Sequence, residues 1–278
     1  MFRPPSEGNS LIFQLTIGCS WNKCAFCEMY TSKKFRVRPV EKVFADIEKM
    51  SRYASHVRKV FLADGDPLVL STKKLLPILN KINESFPKLA RISAYASPSN
   101  LQKKTVSELQ ELHDAGLKLI YVGIESGDDQ VLKAVEKGET FQTTVEGLNK
   151  SARAGINSSV MIINGLGGVH MSHQHAVNSA KALNETQPRY ASTLVLSHYF
   201  GLKHFQRRFN GGFKAPGIYG LLREMEVFIR HTELEETIFR SDHASNYLVL
   251  KGVLGKDKLK FLDQISKALE NPGHAGLR

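Results

Sequence analysis

The stretch Ser10-Leu11-Ile12-Phe13-Gln14-Leu15-Thr16-Ile17-Gly18-Cys19-Ser20-Trp21-Asn22-Lys23-Cys24-Ala25-Phe26-Cys27-Glu28-Met29-Tyr30 decides how the chain is read. Its first part, up to Ile17, is aliphatic and β-branched, ends at a glycine and reads as a strand. Its second part holds every cysteine of the chain, spaced four residues and then two. Three thiols do not close a tetrahedral zinc site by themselves. They can hold three corners of a cubane iron–sulfur cluster and leave the fourth iron to a ligand that is not protein. The competing readings are a zinc site completed by a histidine and a set of buried structural thiols. A cysteine loop at the C-terminal end of a first strand lies where α/β sheets and barrels place their ligands.

Outward from this loop a strand-then-helix unit repeats. Residues 40–53 carry Val43, Ile47 and Met50 at helical spacing, with Pro39 suited to the first turn. Residues 60–63 form an apolar strand that ends in Asp64-Gly65-Asp66-Pro67, and a helix follows over 71–86 with Pro77 inside it. A third strand, 91–96, runs into Ser97-Pro98-Ser99-Asn100, followed by a helix over 105–115 that stops at Gly116. A fourth, 117–124, ends in Glu125-Ser126-Gly127-Asp128-Asp129, where an aspartate opens another helix. Residues 141–154 are helical, 158–163 form the fifth strand before Asn164-Gly165-Leu166-Gly167-Gly168, 172–184 are helical and 190–196 form the sixth strand. Units recurring about every 30 residues indicate parallel strands with right-handed crossovers, in a partial barrel or an open sheet. Strand ends rich in small, polar and charged residues gather the chemistry on one rim.

From 198 the rhythm breaks into a mixture of aromatic, basic and glycine residues, which reads as a loop over a site. Helices over 218–231 and 256–270 flank the segment 237–250. The chain therefore divides into 1–197, carrying the cluster loop and the repeated units, and 198–278, an extension that closes the sheet and shapes a substrate pocket.

The 278 residues are 42% apolar and 23% charged, ordinary for a globular protein. No basic-then-apolar leader opens the chain and no run of about 18 apolar residues occurs, so the expectation is a cytoplasmic protein with no membrane partner. That compartment suits reduced thiols. A formal charge of +11 favours nucleic acid or anionic small molecules, although no recognised nucleic-acid module accompanies it.

The cysteine triplet after a first strand, Phe26 just before the third cysteine, the acidic glycine-containing turn after the second strand and Gly123-Ile124-Glu125-Ser126-Gly127 after the fourth together resemble the radical S-adenosylmethionine (radical SAM) enzymes. The resemblance spans roughly residues 10–200 and is nearest to the branch with Elp3, MiaB and NifB-like catalytic domains. It differs in one residue, since Ser20 to Lys23 makes four residues between the first two cysteines where three are commonest.

The resemblance implies a partial (β/α)6 barrel and a [4Fe-4S] cluster held by Cys19, Cys24 and Cys27. The amine and carboxylate of S-adenosyl-L-methionine would chelate the fourth iron. Asp64, Gly65, Asp66 and Pro67 would accept the methionyl ammonium, and Ser97, at the next strand end, joins the cofactor-binding set. Glu125 and Ser126 would contact the ribose, Lys137 the methionyl carboxylate, and Gly165, Gly167 and Phe26 the adenine. One electron from an external low-potential donor of flavodoxin or ferredoxin type would release a 5′-deoxyadenosyl radical that takes hydrogen from a small or medium organic substrate. The protein's part is orientation and a dry pocket.

His243 and Tyr247, with Asn246 between them, are candidate hydrogen-bond or proton donors to the substrate. His170, His173 and His175 are assigned no metal, and Arg36 and Arg38 read as a surface charge run. With no fourth cysteine there is no second cluster, which disfavours methylthio transfer. Two further functions compete: modification of RNA or a nucleotide, motivated by the charge and by Lys203, Arg207, Arg208 and Lys214, and a zinc- or RNA-binding module without turnover.

Overall fold

The computed structural model describes residues 2–270. The chain forms two compact units, each discontinuous in sequence. Residues up to 22, 27–122 and 146–158 build the first, and residues 23–26, 123–145 and from 159 onward build the second. Residues on both sides of the 197/198 division belong to the second unit.

In the first unit the expected strand over 10–17 is two short strands, β1 (Leu11–Gln14) and β2 (Thr16–Ile17). The break lies at Leu15, whose N–H donates to the Ala63 carbonyl while its own carbonyl accepts from the Arg38 N–H at 2.9 Å. One residue thus bonds in two directions, and β2 leaves to pair antiparallel with β3 (Arg36–Val37). Arg38 is structural, its guanidinium 2.8 Å from both the Gln14 carbonyl and Asp46.

The helix α1 (Val40–Ser51) buries Val43 and Ile47, one turn apart. Then come β4 (Lys59–Ala63), α2 (Thr72–Ser85), which runs through Pro77, and β5 (Arg91–Tyr95). Ser97-Pro98-Ser99-Asn100, which follows β5, opens a short helix, α3 (Pro98–Gln102), with Ser97 as its N-cap. The helix α4 (Val106–Asp114) opens with a Thr105–Glu108 capping box and leads into β6 (Leu117–Glu125). β4 pairs in parallel with β1 and with β5, and β5 with β6. Four of the five β4 residues are buried, as both-face coverage of a parallel strand requires.

The second unit takes the end of β6, α5 (Asp129–Ala134), the start of α6 (Phe141–Arg153) and most of β7 (Asn157–Asn164). It continues with α7 (Gly168–Thr186), β8 (Tyr190–Val195), α8 (Leu202–Arg208) and α9 (Ile218–His231). The tail adds two strands the sequence did not announce, β9 (Ile238–Arg240) and β10 (Lys251–Val253), before α10 (Lys258–Glu270). β7, β8 and β9 pair in parallel, and β10 returns antiparallel to β9. α9 packs against α7 and α10, burying Leu221, Leu222, Met225, Phe228 and Ile229. Phe239 of β9 sits 6.4 Å from the Phe228 ring and 5.8 Å from the Phe261 ring, which anchors the added strand. Both units are α/β, with helices linking parallel strands.

Candidate active site

In the first unit the turn after β4 packs flush on the start of the cysteine loop. A Cβ at Gly65 would lie 2.4 Å from the Gly18 carbonyl oxygen and 2.7 Å from Cys19 Cα, so only glycine fits there. The Gly65 N–H donates to the Tyr30 hydroxyl at 3.1 Å. Asp64 is fully buried and accepts from Lys33 Nζ at 3.1 Å and from Gln14 Nε2 at 3.2 Å. Burial alone would raise its pKa. The Tyr30 hydroxyl and the Lys33 ammonium outweigh that and hold the carboxyl below its ordinary value. Burial and the Asp64 charge push the Tyr30 hydroxyl up.

Asp66 is buried beside α3, where Asn100 donates to it. Burial raises its pKa against the opposing hydrogen bonds of Ser97 and Asn100. The Ser97 hydroxyl caps α3, accepting from the Asn100 N–H at 3.4 Å. Pro67 begins a single turn of 3-10 helix.

In the second unit Glu125 ends β6 in the left-handed region, φ +67°, a costly conformation for a residue with a side chain. Its carboxylate folds back over Gly123, where a Cβ would lie 1.9 Å from Oε1. Oε1 accepts from Lys137 Nζ at 3.3 Å, whereas the buried Oε2 receives no hydrogen bond among the described residues. Burial pushes the Glu125 carboxyl up. Burial would lower the Lys137 pKa, but the charges of Glu125, Cys24 and Glu139 prevail and keep the ammonium protonated. Lys137 also lies 5.9 Å over the Phe26 ring.

Ser126 is turned into the protein. Its hydroxyl accepts from the Asp128 N–H at 3.0 Å and meets His175 Nδ1 at 2.7 Å. His175 Nε2 donates to the Ile163 carbonyl at 3.0 Å, which leaves Nδ1 as the acceptor of the Ser126 proton. Glu224 of α9 accepts from the Gly165 N–H and, at 2.6 Å, from the Ser172 hydroxyl. Gly165 faces this chain's own residues, since a Cβ there would lie 2.7 Å from Leu221. A Cβ at Gly167 would meet Met171 at 3.0 Å.

α7 begins at Gly168, which places His170 and His173 on its first two turns and buries His175 inside. His243 is exposed and bonds Ser245 at 2.8 Å, while the buried Asn246 donates to the Thr193 carbonyl at 2.8 Å. Tyr247 is half-buried beside it.

All three cysteines are half-buried and outside any disulfide. Among the described residues no group of three His, Cys, Asp or Glu side chains is arranged to hold a single metal ion. Residues 13–180 match the family model of the Radical SAM superfamily. The chain belongs to this superfamily.

Curated relatives of this radical SAM chain include 4'-phospho-dehydrooxetanocin synthase of Priestia megaterium, 23% identical over 171 residues, covering 55% of the chain and 23% of the relative. The heme chaperone HemW of Bacillus subtilis (strain 168) is 22% identical over 141 residues, covering 50% and 37%. The chain thus spans well under half the length of either. Coproporphyrinogen III oxidase (HemN) of Escherichia coli superposes with a TM-score of 0.59 at 18% identity, covering 80% of this chain and 52% of that one. Methylornithine synthase (PylB) gives 0.54 at 13% identity, covering 95% and 81%. The likeness to these structures is one of fold, the α/β class of radical SAM partial barrels. No helix among the described residues is long and apolar enough to cross a membrane.

Radical SAM membership implies a [4Fe-4S] cluster and S-adenosylmethionine, and the residues present fit both. Three thiols outside disulfides form a suitable donor set for iron. Glu125 Oε2 is a buried acceptor without a partner among the described residues, and Gly65 lets the turn after β4 lie directly on the loop carrying Cys19.

Sequence reading missed the residues that hold these parts. Tyr30 and Lys33 follow the last cysteine closely, and their role shows only once Asp64 is seen between them and β1. His175 and Glu224 lie far along the chain from their partners, and Arg208 reads in the sequence, with Lys203, Arg207 and Lys214, as a candidate nucleic-acid contact. Its guanidinium instead reaches the carbonyls of residues 23–25.

Proposed function

We propose that the chain is a radical SAM enzyme in which Cys19, Cys24 and Cys27 hold a [4Fe-4S] cluster. When bound, the cluster and S-adenosylmethionine supply reductive cleavage to methionine and a 5′-deoxyadenosyl radical, which abstracts hydrogen from an organic substrate. The observation that carries this reading is that every cysteine of the chain lies between 19 and 27, outside any disulfide, within the matched segment 13–180.

The chain's own residues divide the work. Asp64 is held ionised by Lys33 and Tyr30, which suits an acceptor for an ammonium group. Glu125 offers Oε2 to a ribose hydroxyl, its other oxygen being fixed by Lys137. Lys137 remains a cation close to Phe26 and Cys24, as an anchor for a carboxylate requires. Gly165 and Gly167 contribute backbone only, under the cover of Leu221 and Met171. His243, exposed and in a loop bonded to β8, is the better placed of the two candidate substrate donors. An external low-potential protein of flavodoxin or ferredoxin type supplies the electron.

The test is anaerobic reconstitution, dithionite reduction and assay for 5′-deoxyadenosine, with Cys24→Ala as control. About four irons per chain and product from the wild type alone support the reading. One zinc and no iron would replace it with a binding module.

A nucleotide-bearing substrate is a second reading, favoured by one observation. Tyr199 is 84% exposed and packs edge-on to Phe200 at 5.3 Å, beside the exposed Lys203 and Arg207. Aromatic faces among cations suit single-stranded nucleic acid. Binding of a short RNA that weakens steeply with salt would support it, and no binding at low salt would remove it.

A further inference from the structure

The guanidinium of Arg208, the last residue of α8, donates to three successive carbonyls of the cysteine loop. Nη2 reaches Lys23 O and Cys24 O at 3.1 Å each, and Nη1 reaches Ala25 O at 3.4 Å. Three neighbouring carbonyls turned to one side repel one another unless a donor faces them all, and the planar fork of an arginine spans them with two nitrogens at fixed separation, where a lysine has a single nitrogen.

The rest of the surroundings works in the same direction. The Ala25 N–H donates to the Val135 carbonyl at 2.8 Å, and the Asn210 N–H to the Ala134 carbonyl at 2.9 Å, so the loop and the chain after α8 are tied to the same end of α5. The Ala25 methyl is buried among Val135, Phe205, Phe209 and Phe213. Phe205 and Phe213 meet edge to face at 4.7 Å, which makes the seat of Ala25 rigid. Lys203 and Arg207, on the same helix, are exposed.

We propose that Arg208 is a positioning residue for the cluster: it braces the backbone around Cys24 and, as a fixed cation beside that ligand, favours the reduced state. The inference rests on the cluster reading above. Reduction adds one negative charge, supplied by the external low-potential donor. A cation held against the loop is stabilised by that charge and raises the midpoint potential. The loop has one more residue than the commonest radical SAM spacing, and the brace takes up the carbonyls at the end of the longer segment.

Two measurements test this, with Arg208→Gln, Arg208→Lys and, as control, Lys203→Ala. In cluster-free protein, amide exchange at Ala25 should quicken about tenfold in Arg208→Gln and in Arg208→Lys, because neither side chain spans three carbonyls, and stay at the wild-type rate in the control. In reconstituted protein, the reduction equilibrium read by a potentiometric titration of the reduced-cluster spectrum should fall about tenfold in Arg208→Gln, about 59 mV for one electron. Arg208→Lys should recover most of that shift, since the charge remains. An Arg208→Gln protein with wild-type exchange at Ala25 overturns the brace, and one with an unmoved midpoint overturns the electrostatic role. Failure of the wild type to take up iron would instead sink the cluster reading, leaving the exchange measurement to judge the brace.

Discussion

Lys137 Nζ stands 3.3 Å from Glu125 Oε1, a half-buried lysine paired with a buried carboxylate, and among the described residues only one of the two carboxylate oxygens receives a hydrogen bond. The pair is costly to bury and costly to break, and a left-handed backbone at Glu125 adds to the cost. The free acceptor supports the proposed ligand contact of Glu125.

Lys137→Met should therefore destabilise the protein by about 3–5 kcal/mol at neutral pH, since it leaves a buried carboxylate without its counter-ion. The sign with pH follows from the raised Glu125 carboxyl. A group whose folded pKa lies above its unfolded value is neutral in both states below about pH 4, so the deficit should shrink there and grow as the pH rises. Urea titrations at pH 4 and pH 7.5 check this. A deficit equal at both pH values would show that Glu125 is not the stranded group.

Gly65→Ala should lower iron and sulfide content after reconstitution by more than half. Its Cβ would meet the Gly18 carbonyl at 2.4 Å and Cys19 Cα at 2.7 Å, both backbone, so the cysteine loop has to move. Overpacking of this kind costs about 1–3 kcal/mol, which a melting curve of the cluster-free protein should also show. Full loading with an unchanged melting curve would mean that the turn and the loop do not touch.

Much of this was legible in the sequence because the physics was local. β4 and β6 are apolar runs closed by charged or glycine residues, and α1 shows Val43 and Ile47 one turn apart. What was hidden depended on partners far along the chain. Leu15 breaks the first strand because Ala63 and Arg38 claim its two backbone groups, which no periodicity records. β9 and β10 have three residues each and exist because neighbouring strands accept them. Ser97-Pro98-Ser99-Asn100 carries no helical periodicity of its own, yet serine before proline is a helix start, and the Ser97 cap makes α3. The proposed rim residues are read from type and position, whereas the residues that contact them (Tyr30, Lys33, His175 and Arg208) are ordinary residues made specific by contact.

Asp64→Asn should cost about 2–3 kcal/mol at pH 7, the scale of hydrogen bonds to a buried charged group. Asp64 is held below its ordinary pKa, so its contribution is full above about pH 4 and fades as the pH falls through the folded value. Between pH 5 and pH 3 the wild type should therefore lose stability more steeply than Asp64→Asn. Parallel curves over that range would assign the acid sensitivity to other carboxylates.

Ser126→Ala separates a ligand contact from a support. The hydroxyl accepts from Asp128 N and donates to His175 Nδ1, both atoms of the second unit, and the Ser126 side chain is fully buried. Removing it leaves His175 Nδ1 with only the longer contact to the Ser179 hydroxyl at 3.5 Å, so the protein should lose about 1–3 kcal/mol of stability. Affinity for S-adenosylmethionine, measured calorimetrically on reconstituted protein at a temperature where the variant is folded, should change less than about threefold. Glu125→Gln, by contrast, removes the negative charge that faces Lys137 and weakens the acceptor, and should cost tenfold or more, about 1.4 kcal/mol. If Ser126→Ala shows the larger loss of affinity, the ribose contact belongs to the serine, and the His175 bond is rearranged when the ligand binds.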